Sequence, residues 1–355
     1  MESVARRAAP VPGLSTLLVI DEQTQIGAAR RSAVELGHGA ALGPDAVGRL
    51  AIGVTEAATN IIRHAERGLI VLRTLNSESH PVIEILALDN GPGIADIARA
   101  MRDGFSTSGT AGNGLGAIRR LADVFEIYSQ PDQGTALLAR IGDRHASPAG
   151  AKRPPSLDDR VGVICVPLQG EAECGDAWRI AVGPHRTSVL LVDGLGHGPG
   201  AAAAAEIATA MFPRSASDPP ETMLKEMSNA MRDSRGAAIS VVVLDDAAHL
   251  AQFAGVGNVD GRVLMNGETE YLVPQNGIIG HTLPVIRSTS APWTVGASLV
   301  MYSDGISARW RADTYPGLSK AHPALVAGVI YRDFSRTRDD ATVLVLRAST
   351  AEERQ

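Results

Sequence analysis

The chain has 355 residues, of which 45% are hydrophobic and 20% charged, and its formal net charge is −6. This length allows two domains with cores of their own, and the balance of apolar and charged residues is not that of a disordered chain. Because nucleic acids and anionic membranes attract basic proteins, the mild acidity argues against either as the partner.

The cysteines and the apolar runs indicate where the protein works. Cys165 and Cys174 are the only cysteines and form no CxxC pair, so we expect neither a disulfide framework nor a zinc ribbon. Their simplest interpretation is as buried thiols of a reducing cytosol. No apolar run approaches the roughly 20 residues of a membrane span, and the run at 14–20 leads into Asp21 and Glu22, unlike a signal peptide. We therefore expect a soluble, cytoplasmic protein.

The first half of the chain alternates strand and helix patterns. On the second helix, Glu56 and Asn60 lie one turn apart, away from its apolar stripe. Such a pair is usually part of a solvated face, but the segments that follow favour a functional role. The patterns predict strands over 14–20, 82–88 and 134–141, and helices over 23–36, 43–65 and 117–122.

Two glycine-rich motifs follow these elements. The first, Asp89-Asn-Gly-Pro-Gly-Ile94, closes a strand, so its carboxylate can accept a hydrogen bond from an exocyclic amine such as that of adenine. Its glycines would let backbone approach a flat base closely. The second ends in Gly112-Asn-Gly-Leu-Gly116 before a helix, where free N–H groups suit phosphate. It is neither a Walker loop nor a Rossmann fingerprint.

The order of these motifs resembles the GHKL (Bergerat) nucleotide-binding fold of gyrases, heat-shock ATPases and histidine kinases. Over about residues 14–141 the resemblance to the RsbT-type serine kinases of bacterial stress signalling is close. It implies ATP with magnesium as the cofactor. Asn60 would then hold the magnesium, Glu56 would orient or deprotonate the attacking hydroxyl, and Asp89 would read adenine. The other implied contacts are Gly91 and Gly93 at the base, Gly112, Asn113, Gly114 and Gly116 at the phosphates, and Thr135 beneath Asp89.

Residues 142–156 lack apolar periodicity and are rich in proline, alanine and charge, as a linker is. We predict a first domain over 1–142, a linker over 143–157, a second domain over 158–348 and a tail over 349–355.

The second half contains many short strand patterns and a few helices, which indicates a layered α/β sandwich. The helices are predicted over 201–211, 221–232 and 323–333, with a loop over 213–220. The strands are predicted over 160–167, 178–182, 188–192, 238–244, 248–256, 261–266, 270–273, 298–303 and 342–347.

Acidic residues recur at the edges of these strands. Asp193-Gly194 and Asp304-Gly305 each close an apolar run, and any one of these aspartates could be a turn residue. Asp176, and Asp339 or Asp340, add further carboxylates to Asp193 and Asp304. So many carboxylates together are not explained by a structural purpose, and a pair of divalent cations would relieve their repulsion. Two cations roughly 3.5–4 Å apart would polarise a phosphoryl oxygen and generate hydroxide from water.

This arrangement resembles the PPM-type serine/threonine phosphatases, specifically their SpoIIE/RsbX branch, over about residues 158–348. The resemblance implies that Asp193 is the catalytic centre, bridging two manganese or magnesium ions, and that Gly194 contributes its carbonyl. Asp304 and Asp339 would complete one metal and Asp176 the other, with Asp340 an open alternative to Asp339. The motifs that carry it are Cys174-Gly-Asp176, Val192-Asp-Gly-Leu-Gly-His-Gly198, Gly255-Val-Gly-Asn-Val259, Tyr302-Ser-Asp-Gly-Ile306 and Arg338-Asp-Asp-Ala-Thr342.

We therefore expect a two-domain α+β protein, a GHKL α/β sandwich followed by a PPM-type β-sandwich with flanking helices. The resemblances imply a regulator of partner switching that dephosphorylates phosphoserine or phosphothreonine on a STAS-domain antagonist. The first domain would phosphorylate the same class of protein, or alternatively would be a non-catalytic sensor of ATP and partner. A chaperone-type ATPase fragment is a weaker alternative, and a homo-oligomer remains open.

Overall fold

The structure is a computed structural model that describes residues 14–76, 81–101, 114–143, 156–281, 283, 285–336 and 338–349. These residues divide into two compact units. The first unit holds Ser15–Asp159 together with Lys320–Arg332, and the second holds Arg160–Ser319 and the described residues from Asp333 onward.

The first unit is built on one antiparallel sheet of five strands in the order β1-β2-β3-β5-β4. Its main core lies between one face of this sheet and the helices α1, α2 and α4. Its elements are β1 (Thr16–Ile20), α1 (Thr24–Gly39), α2 (Pro44–His64), β2 (Gly68–Asn76), β3 (Pro81–Asp89), α3 (Ile97–Ala100), α4 (Gly114–Leu121), β4 (Val124–Ser129) and β5 (Thr135–Gly142).

The sequence patterns did not predict β2 or β4. The edge strand β4 is only partly buried along most of its length, so its apolar signal is weak. The strand β2 carries a buried arginine, Arg73, which interrupts its apolar pattern. Both strands nevertheless form, since β2 pairs with β3 and β4 pairs with β5 along their lengths, which satisfies backbone groups that an edge strand would leave unpaired.

The second unit contains two five-stranded antiparallel sheets, in the orders β13-β10-β9-β8-β7 and β12-β11-β14-β15-β6. The elements from Leu157 onward are α5 (Leu157–Arg160), β6 (Val161–Val166), β7 (Asp176–Val182), β8 (Arg186–Gly194), α6 (Pro199–Ser215), α7 (Pro220–Ala230), β9 (Ala237–Asp245), β10 (Leu250–Val256), β11 (Asp260–Met265), β12 (Glu268–Leu272), β13 (Thr289–Pro292), β14 (Ser298–Tyr302), α8 (Pro323–Phe334) and β15 (Ala341–Arg347). Of these, α5 up to Asp159 and α8 up to Arg332 belong to the first unit.

The helices α6 and α7 pack on the sheet that contains β8 and β9 and form an apolar core with it. The α6 helix continues through Pro213 to Ser215, so the predicted loop over 213–220 begins too early. Phe212 and Ser215 are buried, and this burial holds the last turn in helical form. The predicted two-domain α+β class is confirmed.

The helix α8 belongs to the first unit up to Arg332, although it follows the strands of the second unit in the chain. A Cβ placed on Gly328 would lie 2.9 Å from Leu88 Cδ2 of β3, so α8 contacts the sheet closely there. Glu126 of β4 accepts the His322 N–H at 2.7 Å, just before the helix begins. In the described part of the chain, no helix is long and apolar enough to cross a membrane.

Candidate functional site

Asp89 ends β3, and its carboxylate is held by backbone donors. Its Oδ1 accepts the Gly91 N–H at 2.9 Å and the Thr135 N–H at 3.3 Å. Burial raises the pKa of Asp89, while these two hydrogen bonds and the nearby Arg332 oppose the rise. Both backbone donors use Oδ1, so among the described residues Oδ2 has no hydrogen-bond donor and could accept a ligand's amine.

Thr135 lies directly opposite Asp89 in the ladder between β3 and β5. Its Oγ1 is 3.0 Å from Ser129 Oγ. Ser129 in turn donates to Gly134 O and accepts the Ile94 N–H, both at 2.8 Å. Ser129 therefore ties together the segments around Asp89. The sequence patterns did not indicate Ser129, because this residue ends β4, a strand that they did not predict.

The glycines after Asp89 are required by the packing of their own turn. A Cβ on Gly93, whose φ is +69°, would lie 2.0 Å from Gln130 O, and one on Gly91 would lie 2.7 Å from Ala65 Cβ. The backbone around Asp89 is thereby fixed without a ligand. A cavity of about 390 Å³ opens beside this turn, lined by His64, Ala65, Glu66, Asn90, Gly91, Pro92 and Asp132.

Glu56 and Asn60 lie one turn apart on α2, as predicted. Asn60 Nδ2 is buried and has no hydrogen-bond partner among the described residues. A Cβ on Gly114 would lie 2.8 Å from Asn60 Oδ1, so the start of α4 is held against this amide. A buried amide without a partner costs free energy, and a phosphate oxygen would satisfy it. Gly116 is buried in α4, whereas Gly112 and Asn113 lie outside the described residues.

In the second unit, the strand register pairs two of the predicted metal ligands. Asp176 at the start of β7 lies directly opposite Asp193 near the end of β8. Asp176 Oδ2 accepts the Ser303 hydroxyl at 2.6 Å, whereas its Oδ1 is buried with no partner among the described residues. A side-chain oxygen that is buried but unpaired is what a cation site supplies.

Burial and the neighbouring carboxylates together raise the pKa of three aspartates at this site. Burial, followed by repulsion from Asp176 and Asp304, raises the pKa of Asp193 to about 9. Burial, partly offset by the Ser303 hydroxyl, raises the pKa of Asp176 to about 7. Burial and then the neighbouring Asp339 raise the pKa of Asp304. A nearby cation would relieve these repulsions.

The two adjacent aspartates before β15 differ in their surroundings. Both oxygens of Asp340 accept backbone N–H groups, from Leu168 at 2.7 Å and from Gly175 at 2.8 Å. Asp339 instead lies beside Asp304. Asp340 therefore holds the loop before β7 in place, and Asp339 is the better candidate for a ligand.

Asn258 and Ser303 hydrogen-bond to two of the candidate metal ligands, and neither residue was assigned a role from the sequence alone. Asn258 donates to Asp304 Oδ2 at 2.6 Å, and Ser303 accepts the Thr342 N–H as well as donating to Asp176. Both stand inside motifs that were recognised in the sequence. The signal was therefore present, but only the fold shows what each side chain contacts.

Gly194 lies at the contact between β8 and α6. A Cβ there would lie 2.3 Å from Ala201 O, so only glycine allows this approach. Among the described residues, no group of three or more His, Cys, Asp or Glu side chains lies close enough together in this structure to hold a metal ion. The clustered carboxylates, with one unpaired oxygen, nevertheless fit divalent cations and their preference for oxygen ligands.

Comparison with known proteins places both halves of the chain. Residues 20–141 match the family described as histidine kinase-like ATPase domain, and residues 183–349 match stage II sporulation protein E. The serine/threonine-protein kinase RsbT of Bacillus subtilis (strain 168) is 40% identical over 91 residues, which cover 26% of this chain and 68% of RsbT.

Two other proteins are similar to longer stretches of this chain. The phosphoserine phosphatase RsbX of the same organism is 23% identical over 142 residues, covering 39% of this chain and 70% of RsbX. A solved structure described as the bacterial stressosome, a modular system adapted to control secondary messenger signaling, aligns with a TM-score of 0.50 and 27% identity. It covers 53% of this chain and 98% of its own.

Proposed function

This chain belongs to the RsbT family, and its histidine kinase-like ATPase domain is followed by a SpoIIE-type phosphatase domain; on this basis we propose its substrate, cofactors and residue roles. It removes phosphate from phosphoserine or phosphothreonine on a STAS-domain antagonist protein in the cytoplasm, using two manganese or magnesium ions. With ATP and magnesium, the first domain phosphorylates the same class of protein.

The observation that carries the phosphatase proposal is the group of acids around Asp193. Burial, and then repulsion from Asp176 and Asp304, raises the pKa of Asp193 to about 9. In the proposal Asp193 would be a ligand of both ions and Gly194 would offer its carbonyl, while Asp304 and Asp339 would hold one ion and Asp176 the other. Ser303 and Asn258 orient two of these carboxylates. Bound cations would polarise the phosphoryl oxygen and lower the pKa of a bound water.

The kinase proposal is supported by the arrangement around Asn60 and Asp89. Asp89 is fixed by backbone donors and keeps one oxygen free for adenine, and Asn60 presents a buried amide to the start of α4. In the proposal Asn60 holds the magnesium, and Glu56, one turn away on α2, positions the hydroxyl that attacks the terminal phosphate.

Hydrolysis of a phosphoserine peptide tests the phosphatase proposal. We expect turnover to require added manganese or magnesium and to fall at least about 100-fold in Asp193→Asn and Asp304→Asn, because each loses a charged ligand. Asp313→Asn is the control, since that exposed carboxylate pairs with Arg311. Undiminished hydrolysis in a chelator, or in both site variants, would contradict the assignment.

Transfer of labelled phosphate from ATP to a STAS-domain protein tests the kinase proposal. We expect Asn60→Asp and Asp89→Asn to abolish ATP binding by the full chain. Glu56→Ala should keep ATP binding and lose transfer, because it removes positioning of the hydroxyl and not of the nucleotide. A wild-type protein that binds ATP but never labels such a protein would favour the non-catalytic sensor.

A further inference from the structure

An arginine beside the acidic site has no role in the proposal so far. Arg235 lies between α7 and β9, two residues before Ala237, and Ala237 and Ala238 pair with Gly194 and Asp193 in the ladder. The Leu195 N–H donates to Gly236 O at 3.1 Å. The backbone of Arg235 is therefore held at the end of the strand that carries Asp193.

The side chain of Arg235 lies over the turn that follows Asp193. A Cβ placed on Gly200 would lie 2.4 Å from its Nε and 2.5 Å from its Cζ, and one placed on Gly196 would lie 3.6 Å from its Nη1. The two glycines thus leave the space that the guanidinium occupies. Arg235 is exposed, and no carboxylate of the described chain forms an ion pair with it.

This position suits recognition of a phosphate dianion. The carboxylates of the site repel a negatively charged phosphate. A positively charged side chain would therefore stabilise the phosphate oxygens that do not contact the metal ions. A guanidinium offers a planar fork of N–H donors that matches two phosphate oxygens. Arg235 supplies such a fork over the turn of Gly196 and Gly200 that follows Asp193 in the chain, and no carboxylate of the described chain forms an ion pair with it.

We propose that Arg235 binds the phosphate group of the phosphorylated side chain during dephosphorylation. This inference rests on the proposed phosphatase function and adds a substrate-binding residue to it. The glycines at 196 and 200 leave room for the guanidinium over the turn that follows Asp193 and Gly194, and in this proposal the guanidinium holds the phosphate for attack.

The first test compares Arg235→Ala and Arg235→Lys with Arg232→Ala in the full chain. Arg232 is a matched control, because it is exposed, three residues away and bonded to Asn229. We expect Arg235→Ala to raise the KM for a phosphoserine peptide about tenfold and to change kcat by less than about twofold. A tenfold rise in KM is the effect expected from the loss of one charged hydrogen bond. Arg235→Lys should recover part of the loss, because it keeps the charge without the fork. Arg232→Ala should match the wild type.

The second test uses the space under the guanidinium. In Gly200→Ala the new Cβ displaces the flexible end of Arg235, so this variant should show the same rise in KM. Because both changes remove one interaction, the double variant Arg235→Ala/Gly200→Ala should be no worse than Arg235→Ala. Additive losses would contradict the proposal.

Calorimetry separates this inference from the proposed function. Inorganic phosphate should bind the magnesium-loaded wild type about ten times more tightly than Arg235→Ala, with equal magnesium affinity in both. If the wild type hydrolyses the peptide but Arg235→Ala keeps its KM and its phosphate affinity, the inference is overturned and the phosphatase assignment stands. A parallel loss of magnesium affinity would instead make Arg235 structural. A wild type that hydrolyses nothing and binds no phosphate with metal present would overturn both.

Discussion

Adjacent residues of the same type do different work in this protein. The carboxylate of Asp340 is buried and accepts two backbone N–H groups, whereas that of Asp339 lies beside Asp304 at the candidate metal site. Each oxygen of Asp340 already accepts a backbone N–H, so this carboxylate is engaged in holding the loop before β7. The pair therefore divides into a structural acid and a candidate ligand.

Asparagine substitutions separate these two roles. Asp340→Asn should lower the free energy of unfolding by about 2–3 kcal/mol, because its NH₂ group would face one of the backbone donors. Asp339→Asn should leave that free energy within about 0.5 kcal/mol and weaken magnesium binding at least tenfold. Urea unfolding and calorimetric titration with magnesium measure the two effects. A stable Asp340→Asn that has lost its metal would reverse the assignment.

Three strands of the first unit are joined by a buried ion triplet. Arg73 of β2 and Arg140 of β5 both lie opposite Glu84 of β3. Arg73 donates to Glu84 Oε1 at 2.9 Å, and Arg140 donates to Oε2 at 2.7 Å. Burial alone would raise the pKa of Glu84, but these two guanidinium groups, with the nearby His322, outweigh it and lower the pKa to about 2.

This triplet should make the stability of the first unit sensitive to acid. The pKa of Glu84 is lower in the folded state than in the unfolded chain, so its contribution is complete above pH 4.5 and is lost as the pH falls toward 2. Glu84→Gln leaves two buried arginines without their carboxylate and should cost about 3 kcal/mol at pH 7.

Urea unfolding followed by circular dichroism at several pH values checks this expectation. The difference in unfolding free energy between wild type and Glu84→Gln should shrink between pH 5 and pH 3, because Glu84 takes up a proton over this range in the unfolded wild-type chain but stays ionised in the folded state. A difference that stays constant over this range would contradict the low pKa of Glu84.

The helix α8 completes the first unit although it comes late in the chain. Its Gly328 lies against Leu88, and Arg332 donates to the carbonyl of Asp89 at 2.8 Å. A fragment that ends at residue 142 would lack this helix and would expose Leu88. Tests of ATP binding therefore belong on the full chain.

At the scale of the whole molecule, one short segment takes part in both candidate sites. Arg332 contacts the carbonyl of Asp89 within the first unit. Four residues later, within the second unit, Arg336 donates through its backbone to Gly305 O at 2.7 Å and through Nη1 to Asp304 O at 3.0 Å. A nucleotide that changes the position of Asp89 would act on a segment that also holds a candidate metal ligand.

We therefore expect ATP to change the phosphatase rate. A kinase and a phosphatase joined in one chain would only cycle ATP unless a ligand favoured one activity at a time. With Glu56→Ala protein, which should not rephosphorylate its product, saturating ATP should change dephosphorylation of a phosphorylated STAS-domain protein by about fivefold or more. Free metal is held constant in this assay.

Removing the arginine tests whether the segment carries this effect. Arg332→Ala should reduce the response to ATP without abolishing ATP binding. Arg347→Ala, which removes a similar side-chain bond to the Ser319 carbonyl, should keep the response. Equal rates with and without ATP in the parent protein would mean that the domains act independently.

The two-domain class and most of the helices and strands could be predicted from local patterns in the chain. The candidate residues of both sites were proposed in the same way, because motifs such as Asp89-Asn-Gly-Pro-Gly-Ile94 and Tyr302-Ser-Asp-Gly-Ile306 are local in the chain. Local patterns record turns, strand ends and helix faces directly. Such features require no knowledge of what lies beside them in space.

Which distant residues meet could be seen only in the folded chain. The register of β7 and β8 sets Asp176 opposite Asp193, the backbone amides of Leu168 and Gly175 claim Asp340 and not Asp339, and Gly200 makes room for Arg235. The place of α8 in the first unit was decided in the same way. These contacts depend on packing between segments far apart in the chain, where steric fit and hydrogen-bond geometry select the partner and no local pattern records the choice.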